Sequence, residues 1–123
     1  MAQTTGTTII PAGSTVAIPV TLPFAPTGIQ LRATAAPGAP SDYSVSSPTF
    51  ATIRSTDTPQ SCIGKKISGG NLLEKYFPKA FQPADFGANE CAGDIVFTPT
   101  GFTVSISWNN STAPTTLQWF AHD

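Results

Sequence analysis

The residues of this chain with catalytic or metal-binding chemistry are few. There is one histidine, His122, there are two cysteines, Cys62 and Cys91, and the carboxylates Asp85, Glu90 and Asp94 lie close together in sequence. A metal site needs several ligands held in register, and His122 has only Asp123 beside it. It is expected in solvent near a mobile chain end. With the only base there, no Ser/His/Asp nucleophile arrangement forms. The spacing of the three carboxylates matches no calcium loop, and they read as solvated loop residues. Cys62 and Cys91 permit one disulfide, and as a zinc pair they lack two further ligands. Met1-Ala2-Gln3-Thr4-Thr5 has neither a basic start nor an apolar run, so no signal peptide is expected. Synthesis in the cytoplasm then makes reduced thiols the default. No cofactor is expected, and no general base, nucleophile or metal cluster supports an enzyme.

Binding chemistry is better represented. Trp108 is a candidate platform for a sugar ring or a contact with another subunit, against the plainer reading that it caps the core at a strand end. Lys65, Lys66, Lys75 and Lys79 are four of the six cationic residues and fall in one region with Glu74 and Asp85. They read either as a solvated loop or as a dock for an acidic partner. Asn109-Asn110-Ser111-Thr112 holds two overlapping glycosylation sequons, although Asn and Ser belong in a turn in any case.

The elements that hold these residues read as strands. Twelve prolines and ten glycines punctuate the 123 residues, a density that long helices do not survive. The longest run free of both, Phe102 to Ala113, opens with period-two alternation. Phe102, Val104, Ile106 and Trp108 share one face of it, and Thr103, Ser105 and Ser107 the other. A polar turn, Asn109 to Pro114, leads into Thr115 to Phe120, where Leu117 and Trp119 share a face opposite Phe120. Upstream, Val16, Ile18, Val20 and Leu22 alternate with polar or small residues, and Pro19 marks an edge strand. Ile29, Leu31 and Ala33 alternate against Gln30, Arg32 and Thr34. Tyr43 to Ser46, Thr49 to Arg54, Ser61 to Ile67 and Asp94 to Thr98 are further strand candidates, with a loop over 35–41.

One helix is expected: Asn71 as N-cap, Glu74 three residues on and Pro78 as stop bound a short helical run. Residues 1–8 read as a Thr-rich flexible arm and 55–93 as an inserted excursion. The sum is a single all-β domain over residues 1–123. Its expected architecture is a two-sheet antiparallel β-sandwich of about seven or eight strands with one short helix in the long inserted loop. An up-and-down barrel is the next choice.

Charged residues make up 11% of the chain and the formal net charge is −1. A nucleic-acid surface carries a clear Lys/Arg excess, so nucleic acid is not an expected partner. No segment approaches the ~20 apolar residues that cross a bilayer, so neither is a membrane. Thr and Ser supply the polar cover instead of charge, as in β-sandwiches that live in assemblies.

The C-terminal block carries a resemblance. Gly101-Phe102-Thr103-Val104, a strand ending near Trp108, a polar turn and then Leu117-Gln118-Trp119-Phe120-Ala121 resembles the end of H-type-lectin-like domains and of phage tail-fibre tips. Residues Thr15 to Thr27 and Ile29 to Thr34 are similar to that family's opening strand, connector and next strand. The likeness covers about half the chain and leaves out residues 55–93. It implies a six- or seven-stranded sandwich, trimeric assembly and, in the lectin members, a sugar site near subunit junctions. Trp108 and Asn109 stand at the matching ligand-binding positions.

These readings point to a non-enzymatic structural virion protein of a bacteriophage. It would be a small surface-attached capsid decoration (cement) protein or a tail or fibre accessory. Its expected partners are other virion proteins of capsid or tail and further copies of itself, and its expected location is the virion. The alternative is a carbohydrate-binding, lectin-like adhesin for host-receptor recognition, with a glycan as its partner.

Overall fold

Period-two alternation over most of the chain becomes eleven strands in the computed structural model, which describes residues 1–35, 46–85 and 89–123 and has no helix among them. One antiparallel sheet holds, in spatial order, β1 (Gln3–Ile10), β11 (Thr115–His122), β3 (Gly28–Ala35), β5 (Thr49–Arg54), β6 (Cys62–Ser68) and β7 (Asn71–Phe77). The other holds β2 (Ile18–Thr21), β10 (Gly101–Asn109), β9 (Asn89–Thr98), β8 (Ala84–Asp85) and β4 (Ser46–Ser47). The all-β, two-sheet architecture is the one expected. No helix among the described residues is long and apolar enough to cross a membrane.

The inward rows of the two sheets meet in one core. Ile29, Leu31, Ala33, Ile53, Leu117 and Ala121 come from the first, and Cys91, Ile95, Phe102 and Val104 from the second. Each large apolar side chain buried this way stabilises the fold by about 1.5–3 kcal/mol. Trp119 faces this core and meets Phe102 edge to face, ring centroids 5.2 Å apart. Phe120, its neighbour, points out, as the alternation requires. Pro19 sits opposite Thr103 in β2, at the edge of its sheet, where a missing N–H costs nothing.

Three expectations are corrected. The helix expected at Asn71 to Phe77 is strand β7, paired along its whole length with β6. Gly69 and Gly70 both hold positive φ, 59° and 80°, so Ser68-Gly69-Gly70-Asn71 is a two-residue hairpin turn and not the approach to an N-cap. The flexible arm expected over residues 1–8 is instead an edge strand: β1 pairs with β11 from Gln3↔His122 to Ile10↔Thr115. Its Thr-rich sequence suits a pleated, half-buried surface. Residues 55–93 are not set apart from the sandwich, because they supply β6, β7, β8 and the start of β9. With β1, the unexpected β7 and β8 raise the strand count above seven or eight. The loop expected over 35–41 and the strand expected over Tyr43 to Ser46 fall mainly outside the described residues.

Candidate functional site

β9 and β10 pair residue for residue from Gly101↔Thr98 to Ile106↔Gly93, and then Trp108 faces Ala92. Ser107 is the extra residue of a bulge. One extra residue turns every later side chain to the other face of the sheet. Trp108 therefore leaves the core row of Phe102, Val104 and Ile106 and lies on the outer surface, 38% exposed. Its indole N–H donates to Glu90 Oε1 at 3.3 Å. Lys79 Nζ lies 5.8 Å from the ring centroid and 3.4 Å from Asp94 Oδ2. Asp94 also accepts the Ala80 N–H at 3.2 Å. The ring is thus oriented by a carboxylate at its edge and a cation over its face.

Asn109, the next residue, turns the opposite way. Its Nδ2 donates to the carbonyls of Pro11 (3.1 Å) and Ser14 (2.9 Å), and its Oδ1 accepts the Ser111 N–H at 3.1 Å. The two residues expected to share a sugar site are therefore divided by strand alternation. Asn109 ties down the turn between β1 and β2, and these bonds occupy its amide. Asn110 Oδ1 accepts the Glu90 N–H at 2.7 Å, so both sequon asparagines serve the fold.

The remaining candidates are also in structural positions. Cys62 and Cys91 are free thiols, both buried, and no disulfide joins them. Burial pushes the Cys62 thiol up to about 11, partly opposed by the Thr49 hydroxyl and the Gln82 backbone. Burial raises Cys91 too, with Thr115 pulling the other way. Thiols held protonated in this way are poor nucleophiles and poor metal ligands. Glu90 and Asp94 hold Trp108, Lys79 and Ala80, while the side chain of Asp85 lies outside the described residues. No group of three or more His, Cys, Asp or Glu is placed to hold a metal among the described residues. His122 is not at a loose end. It is half-buried in β11 between Gln3 and Gly28, its ring 6.1 Å from that of Phe120. Of the clustered lysines, Lys65 pairs with Glu74 at 3.8 Å, Lys75 lies over Phe77, and Lys79 is bound as described.

A second surface was not anticipated as a site. The outer face of the six-stranded sheet holds an open trough of about 710 Å³ lined by Gln30, Arg32, Phe50, Tyr76, Gln118 and Phe120, among others. These are the outward positions of strands whose inward positions build the core. In β3 and β11 their alternation is visible in the sequence. Tyr76 has helical spacing to Leu72 and Leu73, which masks in the sequence the row it completes on β7.

Comparison of the chain with protein-family models, with curated proteins and with solved structures finds no match.

Proposed function

We propose that this chain is a non-enzymatic building block of a particle: a bacteriophage structural protein, acting as a capsid decoration or as a tail or fibre accessory, and self-associating as a trimer. The observation that carries the reading is the β6–β7 hairpin. β5 pairs with β6 only at Thr49↔Gly64 and Phe50↔Ile63, and the Lys65 N–H bonds to the Pro48 carbonyl. From Lys66 to Leu73 the hairpin runs on as a two-stranded ribbon. Such a ribbon is marginal by itself in water. This one exposes Ile67, Leu72 and Leu73, Tyr76 is exposed at its base, and β7 is an edge strand with one side unpaired. Apolar residues grouped on a projecting element belong to protein contacts. A chain only 11% charged fits a subunit packed among neighbours. The phage assignment draws on the likeness of the C-terminal block to fibre tips.

Sedimentation of the purified chain tests the reading. A trimer is expected, and Leu72→Asp with Leu73→Asp is expected to give a monomer that keeps its β-sheet circular dichroism and melts at a lower temperature that no longer depends on concentration. A wild-type monomer at every concentration reached overturns it.

A second reading, a carbohydrate-binding adhesin, is favoured by Trp108, an oriented indole on the outer surface suited to stacking on a sugar ring. A glycan array probed with wild type and Trp108→Ala tests it. Retention that disappears in the variant supports it, and a wild-type protein that retains no glycan removes it.

A further inference from the structure

We propose that the outer trough of the six-stranded sheet binds an acidic oligosaccharide, gripping its carboxylate or sulfate with Arg32 and its sugar faces with Phe120, Phe50 and Tyr76. The proposal rests on the adhesin reading, moves its site away from Trp108, and shares Tyr76 with the hairpin of the assembly reading.

The register builds the trough. Gln118 on β11 pairs with Arg32 on β3, Arg32 with Phe50 on β5, Phe50 with Ile63 on β6, and Ile63 with Tyr76 on β7. Cross-strand partners share a face and stand about 4.8 Å apart, so this row runs roughly 20 Å across the sheet. A second row lies two residues along, where Phe120 pairs with Gln30 and Gln30 with Thr52. Tyr76 thus ends the first row on β7 and Phe120 ends the second on β11, with Phe50, a guanidinium, amides and a hydroxyl at the other positions. The open trough, about 710 Å³, is room for a short oligosaccharide rather than a single ring.

The chemistry fits the class. A sugar presents an apolar C–H face and a rim of hydroxyls that both donate and accept. Rings match the face, and Gln30, Gln118 and Thr52 match the rim, since amides and hydroxyls offer both functions. Tyr76 is 70% exposed, so its ring is open to a ligand.

Charge selects the acidic kind. Arg32 is the one charged residue of the described lining. It lies 5.7 Å from the Phe50 ring centroid, and the ion pairs among the described residues join other cations to carboxylates. Lys65 lies 5.5 Å from the same ring, so Phe50 gathers two cations in a chain whose net charge is −1. A guanidinium grips a carboxylate or sulfate through paired hydrogen bonds. A nucleic acid would need more cations following its phosphates, and an extended peptide would add to the free edge of β7 instead of crossing the strands.

The test is an array of sialylated, uronic-acid and sulfated oligosaccharides, each beside its uncharged counterpart, probed with the full chain. At least one acidic member is expected to be retained, with its counterpart about tenfold weaker or worse. Amide shifts on titration are expected at Gln30, Arg32 and Gln118. Arg32→Gln removes the preference for charge, Arg32→Lys restores part of it, and Phe120→Ala weakens every member, all with wild-type melting. Gln118→Ala serves as a second probe should Phe120→Ala fail to fold. Retention lost in Trp108→Ala but kept in Arg32→Gln and Phe120→Ala overturns the trough and leaves the adhesin reading standing. A wild-type chain that retains only uncharged glycans overturns the trough, and one that retains none overturns both.

Discussion

The two buried thiols set a pH limit that belongs to single residues. Cys62 has a folded value of about 11 against 9.0 in the open chain, chiefly because burial disfavours the thiolate, and Cys91 shifts in the same direction. A raised folded value means that the unfolded chain gives up the proton first. The contribution of these thiols is therefore complete below pH 9 and is lost as pH rises towards 11. Urea midpoints are expected to hold up to pH 9 and fall between 9 and 11, and Cys62→Ala is expected to flatten that fall. Trp108 marks the limit of what single residues disclose in a sequence. Its period-two place with Phe102, Val104 and Ile106 assigns it to the core face, and every step of that argument holds until Ser107. The bulge follows the pairing with Gly93 of the partner strand, where a side chain would run into the Ser105 carbonyl and the Phe81 ring. No pattern within residues 102–108 carries that information.

At the scale of elements, strand β7 was the hardest to read. Leu72, Leu73 and Tyr76 satisfy a helical spacing, and Asn71, Glu74 and Pro78 supply helix boundary signals. The tie is broken by Gly69-Gly70, whose paired positive φ angles make a hairpin turn that a helix approach does not need. β6 then offers a ready edge, and pairing overrides local preference. Gly70→Ala is expected to cost about 1–2 kcal/mol, the penalty for a side chain in the left-handed region. The cost should appear as faster amide exchange along β7, while exchange in β9 and β10 stays unchanged. Loss of protection spread evenly over both sheets would contradict the hairpin as a separate unit. The alternations over 29–35 and 102–106, by contrast, were legible because each strand buries one complete face.

At the scale of the whole molecule, the first ten residues decide how much of the sandwich is closed. Ile10 is fully buried, and the Thr8 hydroxyl accepts the Trp119 indole N–H at 3.1 Å. A chain beginning at Pro11 is expected to melt well below the full one, by several kcal/mol in stability, since it loses a buried isoleucine and strands the indole donor. A mobile arm would leave melting unchanged. The trough escaped the sequence for a reason at this same scale. Its residues lie on five strands drawn from positions 30 to 120, and only the order of those strands aligns them.

The pairing of β1 with β11 also joins the two ends of the chain. The Ala2 N–H donates to Asp123 Oδ1 at 2.8 Å, and the Asp123 N–H to the Ala2 carbonyl at 3.0 Å. Because the strands are antiparallel, tension applied through both ends pulls along their cross-strand hydrogen bonds, which open one after another from Gln3 and His122 inward. This is the geometry of a zipper rather than of a shear joint. Pulled from one end and held through its sheet faces, the domain spreads the load over many bonds at once; pulled from both ends, it yields bond by bond.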